Sequence, residues 1–288
     1  MIPRILGRVA RRRTSVVGLV VSVVALAVAI PASANEYSVF SDCPLSNPAT
    51  FDCVHSLTTG GEVKVGSTAV PIVNPITLQG GLPNPFEGAT LIAARDGNTL
   101  SKTAQPVPGG LLGVVAPTGW PKILQDLFNK FINEGATGVT ATTELVASGE
   151  VHLFNFLGGE GTAVSLPVRV KLGNAFLGSS CYVGSASHPI HLLLTTGTTA
   201  PPAPNTPISG TPGTVTEGPE GVLLDNGFKL VDNSFSAPGA EGCGGIFSLL
   251  VDLAVNAKLG LPSAAGHNTA ILTGNQQIAT AEAVRAHP

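Results

Sequence analysis

Charged side chains are scarce in this chain: Asp, Glu, Lys and Arg make up 11% of its 288 residues, and Phe, Trp and Tyr only 5%. Carbohydrate-binding surfaces usually present aromatic platforms, and only Trp120, Tyr37 and Tyr182 offer large amphipathic rings. Trp120 sits beside Pro121 at an expected helix start, where packing is the simpler role. No C-x-x-C spacing occurs among the four cysteines, so the paired ligands of a zinc site are missing. No G-x-S-x-G is present; Gly178-Ser179-Ser180 and Gly184-Ser185-Ala186 lack the second glycine of a nucleophile elbow. Gly158-Gly159-Glu160-Gly161 has neither the lysine nor the hydroxyl of a phosphate loop and reads as a turn. Asp232-Asn233 alone does not make a calcium loop. No catalytic, cofactor-binding or metal-ligating residue is assigned, and no cofactor is expected.

What is present at the N-terminus has the grammar of an export signal. Arg4, Arg8, Arg11, Arg12 and Arg13 form a basic region, and Val16 to Ile30 form an uncharged apolar run of 15 residues. Pro31 ends it, and Ala32-Ser33-Ala34 is the small-x-small pattern that signal peptidase accepts, which predicts cleavage between Ala34 and Asn35. A bilayer-spanning helix needs roughly 20 apolar residues, so residues 1–34 read as a signal peptide and not as an anchor. Removing them takes five of the 15 basic residues and none of the 18 acidic ones, leaving 10 against 18, a net charge of −8. An acidic chain without a basic stripe lacks the electrostatic footprint of a nucleic-acid binder and the polybasic cluster that holds proteins on anionic lipid. Nucleic acid and a stable membrane anchor are therefore excluded as expectations, and a cell-envelope or protein partner is left.

The four cysteines, Cys43, Cys53, Cys181 and Cys243, all follow the signal. An even count in an exported chain reads as two disulfides with three connectivities open. Cys43 with Cys53 is the favoured pair, because it closes a short loop containing Pro44 and Pro48; Cys181 with Cys243 would then staple a long excursion.

With 35 glycines and 23 prolines, frequent Thr and Val and little charge, residues 35–288 suit many short strands joined by turns. The expected fold is mainly β: an antiparallel sandwich or barrel-like domain with two short helices and disulfides. Period-two alternation marks Glu62 to Val65, Ile76 to Leu78, Val139 to Val146, Val151 to Phe156, Ala163 to Leu172, Ile190 to Thr196 and Thr269 to Leu272 as strands. Asp96-Gly97 and Asp225-Asn226-Gly227 read as hairpin turns, the second being the stronger signal. Helical spacing marks Pro121 to Glu134 and Gly245 to Leu259, both expected to pack on the sheets, the second as a buried or loop-covering helix. Residues 197–219 are rich in proline and threonine. They read as a surface excursion within one secreted domain spanning 35–288.

Reactive side chains are scattered. His188 and His191 are the only close histidine pair, and three residues apart on a strand they face opposite ways. Glu144, Glu150 and Glu160 lie around the central strands without the paired spacing that glycosidases use.

The stretches around Leu230-Val231-Asp232-Asn233, Gly242-Cys243-Gly244-Gly245 and 258–268, with Cys181-Tyr182 and the proline-rich segment after it, resemble uncharacterised secreted proteins of high-GC Gram-positive, actinomycete-type bacteria. The resemblance implies secretion and carries no known activity, ligand or catalytic residue. The leading expectation is a secreted non-enzymatic extracellular or cell-envelope structural or interaction protein. Two alternatives stand beside it. One is a secreted hydrolase, marked by His188 or His191 within reach of a serine and an acid. The other is a small apolar-ligand carrier, marked by a closed barrel with an apolar interior.

Overall fold

Alternating side chains build two antiparallel sheets packed face to face, with their apolar faces shared in one core. The computed structural model describes residues 36–113, 115–134 and 136–287. The expected signal peptide and its Ala34–Asn35 cleavage point lie outside the described residues. In chain order the first half runs β1 (Asp52–Val65), β2 (Thr68–Pro71), β3 (Ile76–Leu82), β4 (Ile92–Ala93), β5 (Ala104–Pro106), α1 (Lys122–Glu134), β6 (Thr140–Leu145), β7 (Glu150–Val151) and α2 (Leu153–Gly158). The second half runs β8 (Val164–Gly173), β9 (Tyr182–Val183), β10 (Ile190–Leu194), β11 (Thr214–Glu217), β12 (Val222–Asp232), β13 (Ala240–Glu241), α3 (Ser248–Leu259), β14 (Thr269–Thr280) and α4 (Ala281–Ala286).

The first sheet has the order β11-β12-β14-β1-β3-β4, with β2 also on β1; the second runs β13-β9-β8-β6-β5, with β10 and β7 also on β8. Alternation explains the burial. On β10, Ile190, Leu192 and Leu194 are buried while His191 and Leu193 are exposed. A strand with one wet face reads this way because successive side chains point to opposite sides. Phe156 and Phe228, both 0% exposed, meet edge to face at 5.5 Å inside the core. The sheets are also knit by backbone, through the bridge between Thr195 and Val231. The cysteines pair as Cys43–Cys53 and Cys181–Cys243.

Four local readings change. Asp225-Asn226-Gly227 is not a hairpin turn: β12 runs straight through it, and its register on β14 slips between Asn226 and Phe228. Gly227 adopts φ +78°, the left-handed conformation that a bulge needs as much as a tight turn does. Its N–H donates to Asn275 Oδ1 at 2.9 Å. The expected strand 151–156 holds only its first residue; the chain turns at His152 into α2, which buries Phe156 and ends at Gly159 with φ +71°. The expected last strand is longer than its apolar stretch, because β14 continues through Asn275, Gln276 and Gln277 while paired on both edges.

The fourth change concerns the two longer helices, which leave part of their apolar surface uncovered, although Val251, Val255 and Leu259 of α3 pack half-buried against the core. On α1, Ile123 is 80% and Leu127 64% exposed. On α3 no residue is buried. The segment 197–219 lies on the sandwich: β11 extends the first sheet, Thr211 bridges Lys229, and Asn205 donates to the carbonyls of Asn233 and Asn268 at 2.8 Å each.

Candidate ligand-binding cavity

The sheets do not close on each other completely. Between them lies a slot in two lobes, of about 110 and 80 Å³. Val63, Ile72, Ile76, Thr143, Val168 and Leu192 line both lobes, so only side chains separate them. Each β-branched or leucine side chain there comes from an inward position of its strand, and the resulting wall is almost wholly hydrocarbon. For scale, an apolar cavity of roughly 150 Å³ stays dry and admits benzene. The two lobes together offer room for one narrow chain or ring system.

The outer lobe ends near Leu259 and Leu261, and it shares Val107, Leu172 and Leu259 with a wider chamber of about 250 Å³ beneath α3. Helix α3 roofs this chamber with Val251, Val255 and Leu259, one residue every four along the helix. It is tied down at both ends. Cys243, just before it, is bonded to Cys181, and the Asp252 carboxylate accepts from Cys243 N at 2.7 Å and Gly242 N at 3.2 Å. Asn256 pairs with the backbone of Ala240 on β13. At the far end Ser67, in the β1–β2 turn, donates from N to Leu259 O at 2.8 Å and from Oγ to Lys258 O at 2.9 Å. The opposite side of α3 presents Leu249, Leu250 and Leu253 at 64–79% exposure, an apolar stripe on the outside of the molecule that Ile246, in the turn just before the helix, extends.

Polar groups in the slot are few. Gln105 faces the outer lobe, but its amide is fully engaged: Oε1 accepts from Val73 N and Asn74 N at 3.0 Å each, and Nε2 donates to Asn74 O at 2.7 Å. The inner lobe adds Ser56, Thr58 and Gln276. No family model, no curated protein and no solved structure matches this chain.

The residues examined for chemistry fall elsewhere. Ser187 Oγ lies 3.1 Å from His188 Nδ1 and 3.1 Å from Ser185 Oγ, all on an exposed loop. No carboxylate joins that group among the described hydrogen bonds and ion pairs. His191 faces outward from β10. Glu144 is held by Arg169, whose Nε and Nη2 donate to its Oε2 at 3.0 and 2.8 Å, and Arg169 lies over the Tyr182 ring at 4.2 Å. Glu150 stands 3.6 Å from His152 at an exposed edge. Thr143 and Val151 face the slot, so their strand neighbours Glu144 and Glu150 face away from it. Tyr37 stacks on His287 at 4.3 Å, with its hydroxyl donating to Glu220 O at 2.7 Å. Trp120 packs edge-on against Phe128 at 5.7 Å. Among the described residues no cluster of three His, Cys, Asp or Glu side chains suits a metal ion, and no described helix is long and apolar enough to cross a membrane.

The slot was not foreseen from composition. An interior void has no local signature, because its wall reads as ordinary strand alternation. The one trace is the run of β-branched residues Val63, Val65, Val70 and Ile72 in a hairpin that lines a single space.

Proposed function

We propose that this is a secreted, non-enzymatic binding protein that carries a small apolar molecule between its sheets. The observation that supports the reading is the bilobed hydrocarbon-walled slot, which shares Val107, Leu172 and Leu259 with the groove under α3. Natural cores pack to crystal-like density with few voids larger than a water molecule, so lined space on this scale suits an occupant. The sandwich supplies, in place of a closed barrel, an apolar space between two sheets. Disulfides and an acidic surface free of basic clusters suit a protein working outside the cell.

The test is displacement of an apolar fluorescent dye from the exported protein. Saturable binding at one site is expected. Val168→Phe, which projects a larger ring into both lobes, should weaken the dye at least tenfold, whereas Leu193→Phe, on the outward face of neighbouring β10, should not. Dye binding that is absent, or indifferent to Val168→Phe, would remove the carrier reading.

A further inference from the structure

Two enclosed aspartates on β12 are treated in opposite ways. Asp232, 0% exposed, accepts from Ser234 N at 2.8 Å, Ser234 Oγ at 2.7 Å and Leu193 N at 2.7 Å. Asp225, 3% exposed, has both carboxylate oxygens buried without a hydrogen-bond partner. Its neighbour across the ladder on β14 is Gln276, also 3% exposed, and the Nε2 of Gln276 is likewise without an acceptor. On the other side of Gln276 stands Ser56 of β1, 7% exposed. Directly opposed residues project to one face of a sheet with Cβ atoms about 5 Å apart. Asp225, Gln276 and Ser56 therefore form one polar row across three strands, and Gln276 and Ser56 line the inner lobe of the slot.

Buried donors and acceptors in native proteins are nearly always satisfied, and an unmet pair calls for an explanation. Here an acceptor and a donor stand opposite each other on neighbouring strands, both bare, with Gln276 on the wall of the otherwise hydrocarbon inner lobe and Asp225 next to it in the row. We propose that this row is the head-group site of the cavity and that the ligand is an apolar alcohol, its hydroxyl donating to Asp225 and accepting from Gln276 Nε2. The proposal rests on the reading of the slot as a binding site and adds the class of molecule it takes.

A hydroxyl matches both bare groups at once. A ketone or ester could accept from Gln276 but would leave Asp225 unmet. A hydrocarbon would leave both unmet, and a fatty acid would set its carboxylate against that of Asp225. Burial raises the Asp225 pKa, and in either protonation state its carbonyl-type oxygen still accepts from an alcohol. Asp225 is also covered from outside, since a Cβ on Gly213, at the start of β11, would collide with its carboxylate. The group is thus screened from bulk water on the excursion side.

Competition of octan-1-ol, octane and octanoate against the dye at pH 7 tests this. Octan-1-ol should bind about tenfold more tightly than octane, as one neutral and one charge-assisted hydrogen bond suggest, and octanoate should bind weakest. Gln276→Leu, which removes the donor and leaves Asp225 in place, should cut the preference for octan-1-ol over octane by about threefold or more while leaving octane unchanged. Asp225→Asn, nearly isosteric and the safer variant for folding, should reduce the discrimination against octanoate. Equal binding of octan-1-ol and octane by the unaltered protein, or an alcohol preference that Gln276→Leu leaves undiminished, would show that the row holds only water and would overturn the head-group assignment while the cavity reading stood. If no probe displaces the dye, the cavity reading falls and this inference falls with it.

Discussion

The two disulfides tie down regions built on opposite plans. Around Cys43–Cys53 a small satellite core covers the sheet. Tyr37, Phe40, Val222, Ala279, Ala281 and Val284 close over the outer face of the first sheet, all of them buried, with α4 and the N-terminal turn as a lid. Around Cys181–Cys243 a helix lies over an open groove. There the bond, the Asp252 carboxylate and Ser67 hold α3 over a chamber of about 250 Å³, and the helix itself has no buried residue. In the first region packing supplies the stability and the disulfide adds to it. In the second, Val251, Val255 and Leu259 pack one side of the helix against the main core, and covalent and polar fastenings hold its ends.

That contrast makes the largest prediction. Replacing Cys181 and Cys243 together by serine frees a loop 62 residues long, and loop-closure entropy puts the cost at about 4 kcal/mol. For a domain of this size that corresponds to a melting temperature lower by roughly 10 °C. Dye affinity should fall as well, because the roof loses its anchor. Replacing Cys43 and Cys53 opens a loop of only 10 residues, costing about 3 kcal/mol by the same argument, and dye affinity should stay within twofold. Calorimetry and dye titration on both variants check the pair. If affinity falls equally in both, the two regions are not separate in function and the comparison breaks.

How far the sequence carried this picture depended on whether the signal was local. Period-two alternation places β6, β8 and β10 within a residue or two, most sharply on β10, where buried and exposed side chains alternate without a break. Cys43 and Cys53 could be matched because proline-bearing loops of that length bring their ends together. In sequence the bulge at Gly227 reads as a turn, since both need a glycine at positive φ and only the partner strand β14 distinguishes them. The apolar residues of α1 and α3 read as packing surfaces throughout, because spacing says which residues share a face and not how much of it is covered: on α3 the side of Val251, Val255 and Leu259 is, and that of Leu249 and Leu253 is not. The polar row was illegible for a related reason: Ser56, Asp225 and Gln276 are far apart in the chain, and only the register of β12, β14 and β1 aligns them.

The packed region carries a cost of its own, and it makes the next prediction. Asp52, 8% exposed at the start of β1, has its pKa raised by burial to about 6. The folded chain therefore holds this proton between about pH 4 and pH 6, where the unfolded chain has released it. Stability from this group is highest at and below pH 4 and is lost as pH rises through 6. Allowing for solvent screening of a group still partly hydrated, the change is about 1–2 kcal/mol. Asp52→Asn should flatten the pH dependence of unfolding across that window and raise stability at pH 7 by a similar amount. A variant with an unchanged slope from pH 4 to pH 6 would show that Asp52 is solvated in the folded state.

The smallest expected effect is the sharpest test of how α3 is held. Leu249 and Leu253 are 79% and 64% exposed, so replacing both by serine removes no packing, and unfolding should change by less than about 0.5 kcal/mol. Val255, on the opposite side and lining the chamber, is the internal control: Val255→Ala removes methyl groups that touch the sandwich and should cost more than the double substitution. A roof kept in place by its two ends and by Asp252 tolerates a rewritten outer surface. A roof that relied on its own apolar stripe would not, and a loss of 2 kcal/mol or more in the double variant would mean that the stripe is buried in the folded protein by something the chain itself supplies.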